Sequence, residues 1–226
     1  FHCIIWPAML MAAELPLPKA IWAHGYVQWG GAKVSKSEGS AVSIEEAAAR
    51  HGADALRWFL MREVGFENDG DFTFDRFDAV YESELANGIG NLASRVTAMV
   101  EKYRAGVVPS IEAADLPNTA GAEAVARYAM AMEQLDLKGA AKQVTDLVTE
   151  GNGYITVSAP WALAKAGDEA ELDAVLATLT ATLVRLAVLS SPFMPEKAQA
   201  LWAALGQAGT ADGAWETAST PLVAGG

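Results

Sequence analysis

Hydrophobic and polar positions divide the chain into two parts. Between residues 21 and 29, aromatic and β-branched residues run up to the turn signal Gly30-Gly31, a pattern that predicts a strand. Beyond residue 73 the strand signals end, and apolar residues recur at helical spacing over about 74–104, 119–136, 138–157, 169–190 and 195–205. We therefore expect a short α/β segment followed by an antiparallel helical bundle, with mostly α structure overall.

The clearest helical pattern lies in residues 169–190. Its main apolar residues keep to one helix face: Leu172, Val175, Leu176, Leu179, Leu183 and Leu186. This stripe predicts a helix that buries one face in the bundle. After Gly206 the chain is rich in Gly, Ala and Thr without periodicity, which predicts no regular structure there.

Capping residues indicate where helices begin. Ser43, with Glu three positions later, forms a capping box for a helix that Gly52 ends, and a second helix follows over 53–63. Thr73 is a good N-cap for the first long helix. The Gly- and Asp-rich residues 65–72 predict a loop, and we place the domain boundary at its end, between a 1–72 unit and a 73–226 unit.

Composition favours a globular chain without a membrane span. Hydrophobic residues make up 52% of the 226 positions, and the longest apolar stretches, such as 4–13, are too short to cross a bilayer. The first residues carry no basic region typical of a signal peptide. Cys3, the single cysteine, is expected to be a buried core residue, and with three scattered histidines it leaves no metal-binding spacing. A reducing cytoplasm fits this cysteine content.

The charge argues against a broad nucleic-acid surface. The formal net charge is −12, whereas phosphate contacts require Lys and Arg. Residues 1–104 carry 10 Lys and Arg against 14 Asp and Glu, and residues 105–226 carry 6 against 14. Any RNA site must therefore be local, and we expect it preferentially in the first part.

A basic, serine-rich segment stands out at residues 33–39. Lys33 and Lys36, with Ser35 and Ser37 beside them, follow a glycine turn and precede a capped helix. Two cations on such a loop can contact a polyphosphate. Taken alone, the same pattern also fits an ordinary solvated turn.

Longer runs of sequence give this segment a context. Gly31–Ser37 (Gly-Ala-Lys-Val-Ser-Lys-Ser) closely resembles the Lys-Met-Ser-Lys-Ser signature of class I aminoacyl-tRNA synthetases, with Val34 in place of Met. Residues 24–27 before it and 52–57 after it stand at the spacing of the same class I family. Within class I the resemblance narrows to the methionine enzymes through blocks that recur in family order: 1–10, 69–72, 90–95, 159–161 and 191–195. Glu38 and Ser40 depart from the family pattern and put an extra negative charge beside the lysines.

For the ATP site, the resemblance implies that Lys36 contacts the phosphates and that Lys33 is its supporting cation. Ser35 and Ser37 would bind ATP beside them. ATP with Mg²⁺ would enter as a substrate, and positioned cations would stabilise the charge that develops on the transferring phosphoryl group.

For the other substrates, the resemblance implies that Phe1 and His2 line the pocket for the methionine side chain. Asn91 and Arg95, four residues apart on one helix, and Trp161, after a proline, would read the tRNA anticodon by edge contacts and stacking. Without the family, a core histidine, a capping or interior Asn, a surface Arg and a core Trp are the ordinary interpretations.

The resemblance implies a remnant of a Rossmann-like catalytic domain with stem-contact helices over 1–72 and an all-α anticodon-binding bundle over 73–226. The function would be that of a methionine–tRNA ligase, present as a C-terminal part without the His-Ile-Gly-His half. Any zinc would bind in that missing part. We expect a cytoplasmic monomer that contacts methionine, the anticodon loop and the inner stem of methionine tRNA. A free-standing tRNA-binding module and a decayed, non-catalytic paralogue remain open.

Overall fold

The computed structural model describes residues 1–29, 32–33, 43–65, 68–109 and 121–219. Its strands are β1 (Val27–Trp29), β2 (Ala32–Lys33) and β3 (Gly70–Phe72). The first helices are α1 (Ile5–Ala12), α2 (Ile44–His51), α3 (Ala53–Glu63) and α4 (Phe74–Val80), followed by a π-helical segment (Tyr81–Gly90) and α5 (Asn91–Arg104). The remaining helices are α6 (Ala122–Glu133), α7 (Leu137–Ser158), α8 (Pro160–Ala166), α9 (Glu169–Ser190), α10 (Pro195–Ala204) and α11 (Trp215–Ser219). The predicted class, mostly α with a small α/β remnant, is confirmed.

The three strands form a small sheet in the order β2-β1-β3. Strand β1 is antiparallel to β2 and parallel to β3, and the rings of Trp29 and Phe72 stack at 5.6 Å between neighbouring strands. The predicted strand is wrong over residues 21–26, because the pairing with β3 begins only at Val27. Just before it, the Tyr26 amide donates to the Asp69 carboxylate (2.7 Å). The predicted loop over 65–72 is wrong at its end, where β3 pairs with β1.

The predicted helix starts at Ser43 and Thr73 are confirmed. The Ser43 hydroxyl accepts a hydrogen bond from the amide three residues later, and the Thr73 hydroxyl does the same for Arg76 (both 3.2 Å). From Phe74 to Arg104 the chain stays helical, but its middle turns are π-helical. In that geometry a Cβ at Gly90 would lie 3.1 Å from the carbonyl oxygen five residues earlier, so glycine relieves crowding there.

Helix α9 is the centre of the bundle. The six residues of its predicted stripe are at most 1% exposed, yet its other faces are buried too, so the prediction of one buried face is too narrow. The hydroxyls of Thr178, Thr180 and Thr182 donate to carbonyls one turn earlier, which satisfies them inside the core. By length and composition α9 could cross a membrane, but 89% of its most apolar stretch is buried, as in a core helix.

The segment after Gly206 is more regular than its composition predicts. It includes α11, and Ala211 and Ala218 are buried in a cluster with Trp202 of α10 and residues of α9. These small side chains permit close packing against the indole, which periodicity alone does not reveal.

The N-terminal helix lies on the outside of the described chain. None of the residues of α1 is buried, and many large apolar side chains between residues 1 and 26 are exposed: Phe1, Ile4, Ile5, Trp6, Met9, Met11, Leu15, Leu17, Ile21, Trp22 and Tyr26. Cys3 is exposed as well, so its predicted burial is wrong. An apolar residue is buried only where neighbouring elements cover it, and α1 is not covered in this way.

Candidate functional site

Only the beginning of the lysine- and serine-rich segment belongs to the described residues. Lys33 lies in β2, where its backbone is paired in register with Gln28 of β1. Ser35, Lys36 and Ser37 lie outside the described residues, as do Val34, Glu38 and Ser40. The assignment of this segment to ATP therefore stays a prediction.

The two residues predicted to bind methionine lie just before α1. Phe1 is 93% exposed, and its carbonyl oxygen accepts the amides of Ile4, Ile5 and Trp6. His2 is also exposed, so this chain does not bury it as a core histidine. Their role toward methionine stays a prediction.

The structure gives Arg95 a specific partner on a second helix. Asn91 is the first residue of α5 and is exposed, and Arg95 follows one turn later and is half-buried. The Arg95 Nη1 donates to Asn152 Oδ1 on α7 (2.6 Å), and Asn152 Nδ2 donates to the Val148 carbonyl (3.1 Å). Sequence reasoning missed Asn152, and its only sequence signal is a polar residue between two glycines in a helical pattern.

Helices α5 and α7 approach each other because of a buried glycine. A Cβ added at Gly151 would lie 2.9 Å from a methyl carbon of Leu92, which is fully buried. Glycine in a helix costs about 1 kcal/mol relative to alanine, yet α7 continues through Gly151 and Gly153 to Ser158. The close crossing brings Asn152 within reach of Arg95.

Trp161 presents its indole to solvent. Helix α7 ends at Ser158, Ala159 adopts a left-handed conformation (φ 43°), and Pro160 begins α8. Trp161 follows directly and is 53% exposed, in contrast to the core tryptophans Trp58 and Trp202. The predicted position at a break between helices is confirmed, and the core interpretation of Trp161 is wrong.

Two side chains of α3 bind the end of the connection from α9 and the start of α10. Asp54 is buried, and its Oδ2 accepts a hydrogen bond from the Lys197 amide at 2.7 Å. The Arg57 guanidinium donates to the carbonyls of Pro192 (2.8 Å) and Phe193 (3.2 Å). The α3 segment is therefore connected to the bundle through polar contacts at both sides of one turn.

A charged cluster fixes α2 against α4. Asp78 accepts hydrogen bonds from Arg50 and from His51 Nε2 (2.7 Å), and the His51 ring stacks on Tyr81 with centroids 3.9 Å apart. The Arg50 hydrogen bond, helped by His51, lowers the pKa of Asp78 to about 2. Among the described residues, no group of three or more His, Cys, Asp or Glu is arranged to hold a metal ion.

Two family models match the chain. Residues 1–97 match the model for class I tRNA synthetases (M), and residues 110–224 match the anticodon binding domain of methionyl tRNA ligase. The second model alone covers about half of the chain.

Individual proteins give the same result. A methionine–tRNA ligase of Streptomyces coelicolor is 43% identical over 217 residues, which is 91% of this chain and 40% of the relative. A methionine–tRNA ligase of Enterococcus faecalis is 39% identical over 212 residues, which is 91% of this chain and 32% of the relative. Mycobacterium tuberculosis methionyl-tRNA synthetase, solved in complex with methionyl-adenylate, matches with a TM-score of 0.82 and 32% identity over 99% of this chain and 46% of that one. The chain spans less than half the length of each of these proteins.

Proposed function

The chain belongs to the methionyl-tRNA ligase family of class I tRNA synthetases, and we propose that it is the part of such a ligase that contacts ATP phosphates and reads the anticodon of methionine tRNA. The whole protein would join methionine to its tRNA with ATP in the cytoplasm. The observation that carries the anticodon assignment is the solvent-facing Trp161 on a bundle that also presents a positioned Arg95.

The proposed anticodon site uses few charges. Bases of a single-stranded loop stack on aromatic side chains and are recognised at their edges by amides and guanidinium groups. Trp161 supplies an exposed ring, and Asn91 and Arg95 supply edge donors one helical turn apart. Such recognition suits a chain with a net charge of −12, because it does not depend on a broad basic surface.

The proposed catalytic contribution lies before the bundle. The methionine carboxylate would attack the α-phosphate of ATP and release pyrophosphate, while Lys33 and Lys36 stabilise the developing negative charge. Ser35 and Ser37 would bind the nucleotide, and Mg²⁺ would accompany it. Phe1 and His2 would contact the polarizable methionine thioether.

The exposed apolar residues of α1 support a place within a longer ligase. Large apolar side chains in one segment indicate a surface that other parts of a protein cover. We propose that the catalytic half of the ligase packs here and that the assembled enzyme is a monomer whose α2–α3 segment lies along the inner stem of the tRNA.

Titration with RNA tests the anticodon proposal. The purified chain should bind a stem-loop with the methionine anticodon more tightly than the same stem-loop with one anticodon base changed. Because stacking and edge contacts dominate, the affinity should depend only weakly on salt between two ionic strengths. Equal affinity for the two stem-loops would contradict the proposal.

A further inference from the structure

We propose that Asn152 is a positioning residue that holds the Arg95 guanidinium ready for the anticodon through a neutral hydrogen bond, while no carboxylate among the described residues pairs with its charge. This inference rests on the proposed anticodon site. It comes from the contacts of Arg95 and from how they differ from those of other arginines.

Hydrogen bonds fix the Asn152 amide from both sides. Its Nδ2 donates to the Val148 carbonyl within α7, so its Oδ1 faces α5 and accepts from Arg95 Nη1. A flipped amide would direct its N–H groups at the guanidinium, which offers only donors, and would leave the Val148 carbonyl without this bond. The amide therefore connects the backbone of α7 to the Arg95 side chain in one orientation.

The partner of Arg95 is neutral. Several other arginines of the described residues form ion pairs with carboxylates: Arg50, Arg62, Arg76, Arg104 and Arg127. A carboxylate in the place of Asn152 would compensate the charge of Arg95 and compete with an RNA acceptor for its donors. The neutral amide of Asn152 takes one N–H of the guanidinium and does not compensate its charge, which matters in an acidic chain.

Positioning before binding lowers the cost of recognition. A free Arg side chain loses conformational entropy when it becomes ordered. The bond to Asn152 orders Arg95 in the absence of RNA, so less of the contact energy with a base is lost on binding. This gain in affinity should be largest for an anticodon that has, opposite the ordered guanidinium, a base edge with matching hydrogen-bond acceptors.

Two substitutions separate positioning from charge. With the two stem-loops described above, Asn152→Ala should reduce the preference for the methionine anticodon about tenfold, as expected for a lost hydrogen bond to a charged group. Asn152→Asp should weaken binding of both stem-loops, because a carboxylate neutralises Arg95. The matched control is Gln143→Ala on the same helix, where the amide accepts from Arg127 Nε (2.8 Å), and it should leave both affinities unchanged.

A double-mutant cycle shows whether Asn152 acts through Arg95. In an Arg95→Ala background, Asn152→Ala should have no further effect on the preference. Additive losses, or an Asn152→Ala chain that keeps the full preference, would overturn the proposal. If Asn152→Ala fails to fold, unweakened binding by the near-isosteric Asn152→Asp would overturn it as well.

The same measurements separate this inference from the proposed function. If the unmutated chain binds both stem-loops equally, the anticodon site is wrong and the role of Asn152 is wrong with it. If the unmutated chain discriminates and Arg95→Ala loses the discrimination while Asn152→Ala keeps it, only the role of Asn152 is wrong.

Discussion

The carboxylate of Asp54 accepts a hydrogen bond from the backbone amide of Lys197, a residue 143 positions further along the chain. Lys197 is the third residue of α10, and the N-cap position of that helix, Met194, provides no side-chain cap. Asp54 therefore caps α10 from a different helix, and its negative charge lies at the positive end of the α10 dipole. This partly buried contact joins the α2–α3 segment to the bundle.

We expect Asp54→Ala to lower the free energy of unfolding by about 1–2 kcal/mol, because it removes the cap of α10 and leaves a partly buried backbone amide without this partner. Chemical denaturation followed by circular dichroism measures this. Asp212→Ala, at an exposed position, is the matched control and should change stability by less than about 0.5 kcal/mol. A loss at Asp54 no larger than the control's would show that the contact has no stabilising role.

At Tyr128 we expect a substitution that does not lower stability, in contrast to Asp54→Ala. Its ring is buried against Phe193 and Trp215, and its hydroxyl has no hydrogen-bond partner among the described residues. Burial raises the pKa of this hydroxyl, so it stays neutral in the working range of pH. Because an unsatisfied buried hydroxyl is unfavourable, Tyr128→Phe should leave the melting temperature unchanged or raise it. A drop of several degrees would mean that the hydroxyl is satisfied in solution.

The Asp78 cluster predicts a contribution to acid sensitivity. The folded-state pKa of Asp78 is about 2, below its ordinary value of 3.8, so its ionised form is stabilised in the native chain. This stabilisation is fully present above about pH 4 and is lost as the pH falls toward 2. Asp78→Asn should therefore be less stable than the unmutated chain at pH 6, and the difference should shrink near pH 2. Urea unfolding at both pH values compares them, and a constant difference would contradict the pKa assignment.

The amino-acid sequence predicts the helical half of the fold well because local signals agree with tertiary packing there. The Thr73 cap and the apolar stripe of α9 need no knowledge of neighbouring elements. Strand β3 is not predictable from the sequence, because these residues have the composition of a loop and become a strand only beside β1. The π-helical segment is not predictable either, because a shift in hydrogen-bond spacing leaves no pattern of apolar residues.

The candidate site is only partly predictable from the sequence, because contacts between distant helices leave no local signal. Family motifs in the sequence indicate Asn91, Arg95 and Trp161, and the exposure of Trp161 agrees with the proposed role. Asn152 could not be found, because its partner is 57 positions away and meets it only where Gly151 lets two helices cross.

We expect that this chain alone does not catalyse the formation of methionyl-adenylate. Adenylate formation requires ATP and methionine to be held in attack geometry, and the chain spans less than half of its relatives. We expect the purified 226-residue chain to form no methionyl-adenylate in a pyrophosphate-exchange assay. Measurable exchange would show that the residues present here suffice for the reaction.

The most direct test of the account is the effect of Trp161→Ala on anticodon preference. Stacking of a base on an aromatic ring contributes about 1–3 kcal/mol, so the variant should lose most of the preference for the methionine anticodon stem-loop. Because Trp161 is 53% exposed, the melting temperature of the variant should stay within a few degrees of that of the unmutated chain. Trp6→Ala, which removes an exposed tryptophan from α1, should leave both properties unchanged. An unaltered preference in a folded Trp161→Ala chain would contradict the anticodon assignment.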